Sequence, residues 1–274
     1  MHGKYYSTKV RPTIAASSQH AAAYTAKDVL FGWTAVQIPR GSAKLISATA
    51  IVRGKGDANG TANPFAMDLW FADDDRMGLA ASNAVTNAAN AGVPSRDIIG
   101  AVELSVAGYR EFGDNNTIQC VTSGPTIDDG DTTVNKNPID PLVITPKATL
   151  DVNRDGTNTD AGYSTFYMAG IAQGAFDWIS INAIAEAGAA EAASTQVITM
   201  DGTSMDCTEH FVVGDVVHIG TSVGSPAADS VIGTIASVDS STQITLKAVS
   251  ETALVDGDIL YNINPVEIIL AFEY

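Results

Sequence analysis

The stretch of this 274-residue chain whose residue types and spacing come nearest to chemistry is 151–160, Asp-Val-Asn-Arg-Asp-Gly-Thr-Asn-Thr-Asp. Calcium takes about six to eight oxygen ligands, and a helix–loop–helix calcium loop supplies them from positions 1, 3, 5, 7, 9 and 12, with glycine at 6. Asp151, Asn153 and Asp155 fall at positions 1, 3 and 5, and Gly156 at 6. Position 8 is Asn158 where an apolar residue is usual, and position 12 is Gly162 in place of a bidentate Glu, which leaves Asp160 as the substitute donor. No flanking helices are evident. A polar loop of Asx-turns has the same composition. Calcium held by Asp151, Asn153, Asp155 and Asp160 is therefore an expectation, with loop rigidity and not catalysis as its role.

Other sets are weaker. Cys207-x-x-His210 with His218 can be drawn as a zinc site, but it lacks the paired C-x-x-C or H-x-x-x-H spacing such sites use. Gly54-Lys55-Gly56 lacks the spacing and following helix of a phosphate loop and reads as a hairpin turn. The acidic runs Asp73-Asp74-Asp75 and Asp128-Asp129-Gly130-Asp131 lie in loops. A glycosidase needs two carboxylates across a cleft, and at 7 % aromatic content there is no sign of an aromatic-rich one. The reading is of a non-enzyme. Cys120 and Cys207 allow one bridge at most and read as buried free thiols.

The elements that must position these residues are strands. Lys plus Arg number 15 against 31 Asp plus Glu, a net charge of −16, which argues against nucleic-acid binding. The 45 % hydrophobic and 17 % charged residues argue against disorder. No apolar run reaches the roughly 18 residues of a membrane span, and Ser17-Ser18-Gln19-His20 interrupts any signal-peptide core. Period-two alternation predicts strands over 29–38, 44–53, 65–71, 98–104, 142–144, 165–173 and 176–184, with a helix-bearing loop over 75–92. Val29, Phe31, Trp33 and Ala35 are expected on one side of the first, and Ile46, Ala48, Ala50 and Val52 on one side of the second. The strand 266–274 carries Val266, Ile268, Leu270, Phe272 and Tyr274 on one face.

Between 176–184 and 266–274 lies a block of five short strands with turns at Gly214-Asp215 and Gly257-Asp258. The expected fold is all-β: an antiparallel, jelly-roll-like sandwich over 25–194 plus 264–274, with a small β-barrel over 195–263 inserted into one of its hairpins. Residues 1–24 read as a basic arm. Lys4, Tyr5, Tyr6, Lys9 and Arg11 are its candidate partner contacts, and the arm is expected to be dispensable for folding.

The runs NPFAMDLWFADDD, RDIIGAVELS, NPIDPLVITPKATL and STFYMAGIAQGAFDW resemble virion structural proteins of tailed bacteriophages, marine ones especially. The block VVGDVVHIGTSVG through GDILY resembles the small β-barrel modules of phage coat, tail and fibre proteins. The resemblance implies a non-enzymatic assembly role in a virion put together in the host cytoplasm. It favours a head-decoration or cement protein bound to the major capsid protein or other virion proteins, as a homo-oligomer and by family habit a trimer. A tail, neck or fibre part is the alternative. A calcium-dependent carbohydrate-binding module, with a groove lined by Trp33, Trp70 or Trp178, is the reading from another class.

Overall fold

Alternation along the chain makes strands, and their apolar faces dictate how the sheets stack. The computed structural model describes residues 4–54, 63–75, 79, 82, 97–111, 119–123, 142–146, 151–152, 162–178, 185–186, 194–201, 206–221 and 229–274. Strands are numbered along the chain. One sheet runs β1 (Tyr5–Val10), β17 (Val266–Glu273), β3 (Ala43–Val52), β7 (Gln119–Ser123), β6 (Arg110–Glu111), with β8 (Leu142–Ile144) also on β3. A second runs β2 (Val29–Pro39), β10 (Tyr163–Ala172), β4 (Met67–Ala72), β5 (Ile98–Leu104), with β9 (Asp151–Val152) on β10. A third runs β11 (Ala185–Glu186), β16 (Ile259–Asn262), β13 (Val216–Thr221), β14 (Val231–Ser240), β15 (Gln243–Leu246), β12 (Val197–Thr199). Every pairing among them is antiparallel. Among the described residues there are also two short α-helices, α1 (Ala16–Ala21) and α2 (Cys207–His210), and a 3-10 turn at Val106–Gly108.

The first two sheets share one core, so the main body is all-β and sandwich-like. Ala48, Ala50, Val52, Ile268, Leu270 and Phe272 meet Val36, Ile38, Leu69, Phe71, Phe166 and Met168 there. Phe166 and Phe272 bridge the sheets edge to face, with centroids 6.0 Å apart, the arrangement the ring quadrupoles favour. Tyr24, Phe65, Phe176 and Trp178 form an aromatic cluster in the same core, with Phe65 and Phe176 stacked at 3.8 Å and Trp178 edge-on to the other three. The third sheet has its own core of Ile198, Phe211, Val217, Ile219, Ile232, Ile235, Ile244, Leu246 and Leu260.

Several expectations are corrected. In β2, Val29, Leu30 and Phe31 are all buried, and burial then resumes at Val36 and Ile38, not at Trp33 and Ala35. An irregular register against Met168, Gly170 and Ile171 reverses the facing. A second irregularity, between Ala271 and Phe272, puts Ala43 and Leu45 inside β3 and leaves Ile46 half-buried. Over 176–178 there is an isolated bridge, Tyr24 to Phe176, where a strand was expected. Residues 179–184 lie outside the described residues, as does most of 76–96, where the helix was expected. The strands that flank the third sheet among the described residues, β10 and β17, belong to different sheets, and most of the strand expected just before it, 176–184, lies outside the described residues. The third sheet begins with β11 at Ala185, ahead of the expected boundary at 195, and its end strands β11 and β12 do not pair with each other.

Candidate functional site

Residues 4–24, expected to be a free arm, are built into the molecule. Strand β1 pairs with β17 along its whole length, Tyr5 opposite Glu273 through Val10 opposite Ile268. The reason is charge and period. Lys9 Nζ donates to Glu267 Oε1 at 2.9 Å and Arg11 Nε donates to Glu267 Oε2 at 2.9 Å, while Val10 faces the core. Two of the five candidate partner contacts, Lys9 and Arg11, are thereby engaged within the chain. The ring of Tyr6 packs against Tyr163 and Tyr274, with centroids 6.3 and 6.4 Å away. Lys4 and Tyr5 remain exposed, Tyr5 to 71 %.

Beyond β1 the chain crosses to the third sheet. Ile14 N donates to Ile263 O at 2.8 Å, and Ser17 N to Asp229 Oδ1 at 2.7 Å. Buried Gln19 donates from Nε2 to both Ile14 O and Asn262 O, at 2.9 and 2.8 Å. His20 Nδ1 lies 2.9 Å from the hydroxyl of buried Tyr261. Helix α1 comes this close because Gly220 of β13 has no side chain: an added Cβ would strike the Tyr261 ring and stand 3.1 Å from Ala16 O. Ile14, Ala16, Tyr261 and Ile263 belong to the main core. The N-terminal segment thus joins the two units through apolar burial as well as hydrogen bonds.

A second group of contacts closes the seam from the other side. His210 at the end of α2 is buried, and its Nδ1 lies 3.1 Å from Gly54 O, beyond the end of β3. Its Nε2 is buried without a partner among the described residues. Burial pushes the imidazole down to about 4, with the carbonyl of Gly54 opposing and the Arg53 charge adding to the shift. Buried Asp215 receives Val212 N at 2.9 Å and Asn262 Nδ2 at 2.8 Å on Oδ2, and Arg11 Nη1 stands 3.9 Å from its Oδ1. Burial raises this carboxyl against the hydrogen bond from Val212 and the charges of Arg53 and Arg11, and the Glu267 charge adds to the rise. For Glu267 burial acts upward too, but hydrogen bonds from Lys9 and Arg11 outweigh it and hold the carboxyl below its ordinary value.

Asp215 belongs to a turn that occurs three times. In Thr25–Asp28, Val212–Asp215 and Val255–Asp258 the Asp N–H donates to the carbonyl three residues back, at 3.1 Å each time. The Asp carboxylate accepts the N–H of that same first residue, at 2.6, 2.9 and 3.0 Å. The third position has positive φ in all three: Lys27 at 79°, Gly214 at 94° and Gly257 at 87°. That is the demand of a type II turn, which glycine meets without strain. The Gly-Asp pairs are legible in sequence as turns. The copy carrying Lys27 is not, because lysine hides the left-handed position.

Asp151 lies in β9 opposite Ser164, whereas Asn153, Asp155 and Asp160 lie outside the described residues. Cys207 is buried in the third sheet's core, where burial and then the Asp206 charge push the thiol up to about 12. Its neighbour His210 is turned to Gly54, and no group of three His, Cys, Asp or Glu among the described residues is placed to hold a metal ion. Lys55 and Gly56 of the hairpin reading and Asp128, Asp129 and Asp131 lie outside the described residues. Trp178, one of the tryptophans assigned to a carbohydrate groove, is 1 % exposed inside the aromatic cluster. Sequence reasoning missed Gln19 and Asn262. Both are buried amides: Gln19 Nε2 reaches the backbone carbonyl of Asn262 across 243 residues, and Asn262 Nδ2 donates to Asp215 within its own unit. No protein-family model matches the chain, and no curated protein matches its sequence.

Proposed function

We propose that the chain is a non-enzymatic structural component of a tailed-phage virion, acting as a head-decoration protein on the major capsid protein. The observation that supports this reading is the use made of its chemistry-bearing side chains. Asp28, Asp215 and Asp258 hold turns, Asp206 caps α2 by accepting Thr208 N at 2.8 Å, Asn262 braces the Asp215 carboxylate, and Gln19, His20 and His210 join two β units. Such a molecule is suited to bear load and present surface. The exposed Tyr5 on the outer strand β1 and Lys4 just before it are the remaining contacts for a partner. Binding only to assembled heads stabilises them by mass action, and a trimer at local threefold positions fits that role.

The test is co-sedimentation of purified protein with heads that lack it, read as copies bound per particle. Saturation at a number commensurate with capsid symmetry is expected. Absence of binding to heads, together with binding to tails or fibres, would replace decoration by the tail, neck or fibre alternative. Absence of binding to any virion part would overturn the reading.

A further inference from the structure

The chain has four histidines, His2, His20, His210 and His218, and all three that lie among the described residues sit at the seam between the third-sheet unit and the rest of the molecule. His20 is on α1 against Tyr261, and His210 is on α2 against Gly54. His218 is on β13, the strand α1 packs on, in register with Tyr261, and Asp229, which favours its charge, also receives the N–H of Ser17. This is a concentration of the one side-chain type whose charge ordinarily changes between pH 5 and 8. We propose that the seam is an acid-released latch: protonation of its histidines frees the third-sheet unit from α1 and from the end of β3, while the two sheets of the main body stay folded. This proposal does not rest on the virion reading.

The surroundings of each ring are unequal. His210 meets the Gly54 carbonyl, the Phe211 ring with centroids 4.7 Å apart, and the Arg53 charge, and it has no carboxylate partner among the described residues, so a proton there lacks a counter-charge. His20 meets the Tyr261 hydroxyl, itself raised by burial and then by the Asp177 charge, and burial holds His20 below its ordinary value. His218 faces Asp229 and Glu251, which favour its charge, yet burial lowers it on balance. Asp215 titrates the other way: acid neutralises a carboxylate that burial disfavours, which opposes the histidines but removes the longer of the two ion pairs of Arg11. The Glu267 pairs with Lys9 and Arg11 persist to lower pH, since that carboxyl is held down, and they keep β1 on β17.

Hydrogen exchange on the full chain at pH 7.5 and 5.0, corrected for the intrinsic effect of pH, decides the matter; both lie above the isoelectric point near 4.4. With His210 at about 4 in the closed seam and 6.5 in the open one, protection over 13–20 and 207–219 falls about 25-fold at pH 5.0. Protection over 29–38 and 266–273 is held, and the loss reverses on return to pH 7.5. A uniform loss over the whole chain, or no loss at the seam, would overturn the proposal. In the variant carrying His20→Gln and His210→Gln the seam loss shrinks to under threefold, and an undiminished loss in that variant, folded at pH 7.5, would also overturn it. Should that variant not fold, a Ser17→Cys, Asp229→Cys disulfide across the seam replaces it: the oxidised form keeps its protection over 13–20 at pH 5.0, and loss there despite the bridge counts against the latch.

Discussion

At the scale of single residues, Lys27 occupies a left-handed position that glycine fills in two otherwise equivalent turns. Lys27→Gly is expected to be neutral or stabilising by up to about 1 kcal/mol, whereas Gly214→Ala and Gly257→Ala each lose about 1 kcal/mol or more. Urea denaturation of the three variants checks the contrast, and equal losses in all three would remove the turn argument. His210 sets a pH dependence whose sign follows from its buried neutral ring. Its folded value lies below the ordinary one, so its contribution is complete above pH 6.5 and is lost as pH falls toward 4. Between pH 7 and 5 the stability of the wild type drops by about 2 kcal/mol from this group. In His210→Gln, whose amide can still meet the Gly54 carbonyl, that part of the slope disappears. Gly170 is constrained by space: an added Cβ would overlap the Phe31 ring in the core. Gly170→Ala is expected to cost about 1–3 kcal/mol through overpacking, read as a lower Tm.

At the scale of elements, β1 and α1 are held by non-local partners. Arg11→Ala removes a hydrogen bond to Glu267 and one of the two cations that favour the Asp215 carboxylate, leaving that buried charge less compensated, so a loss of about 1–3 kcal/mol is expected. Asp215→Asn in the same background should restore part of it, because the uncompensated charge is then gone, and a double-mutant cycle measures that coupling. Element identity was legible where alternation is unbroken: β17 buries Val266, Ile268, Leu270 and Phe272, the face expected from its sequence. It was misleading where a bulge intervenes, as at Phe31 to Val36, because a one-residue slip reverses every later side chain and leaves no compositional mark. The site was less legible than the strands. Lys9, Arg11 and Glu267 are separated by more than 250 residues, so a local count of charge sees a basic arm where the fold has ion pairs.

At the scale of the whole molecule, the antiparallel sheets are joined by a segment that the sequence reads as a basic arm, solvated or docked on a partner. The N-terminal residues bury Val10, Ile14, Ala16 and Tyr24 in the main core and tie α1 to β13 and β16. The all-β class was legible from alternation and turn residues, and so was a separate β block near the C-terminus. What could not be read was how that block is seated, since Gln19–Asn262, His20–Tyr261 and His210–Gly54 are pairings of residues far apart in the chain. The measurement that bears most directly on this account is calorimetric unfolding of the full chain beside a chain lacking residues 1–24. The full chain is expected to unfold in one transition whose calorimetric and van't Hoff enthalpies agree. The truncated chain is expected to lose about 5 kcal/mol or more, since Val10, Ile14 and Tyr24 are each worth about 1.5–3 kcal/mol and Ala16 adds less, and to melt in two steps or not fold. An unchanged Tm and a single unchanged transition after truncation would contradict the account.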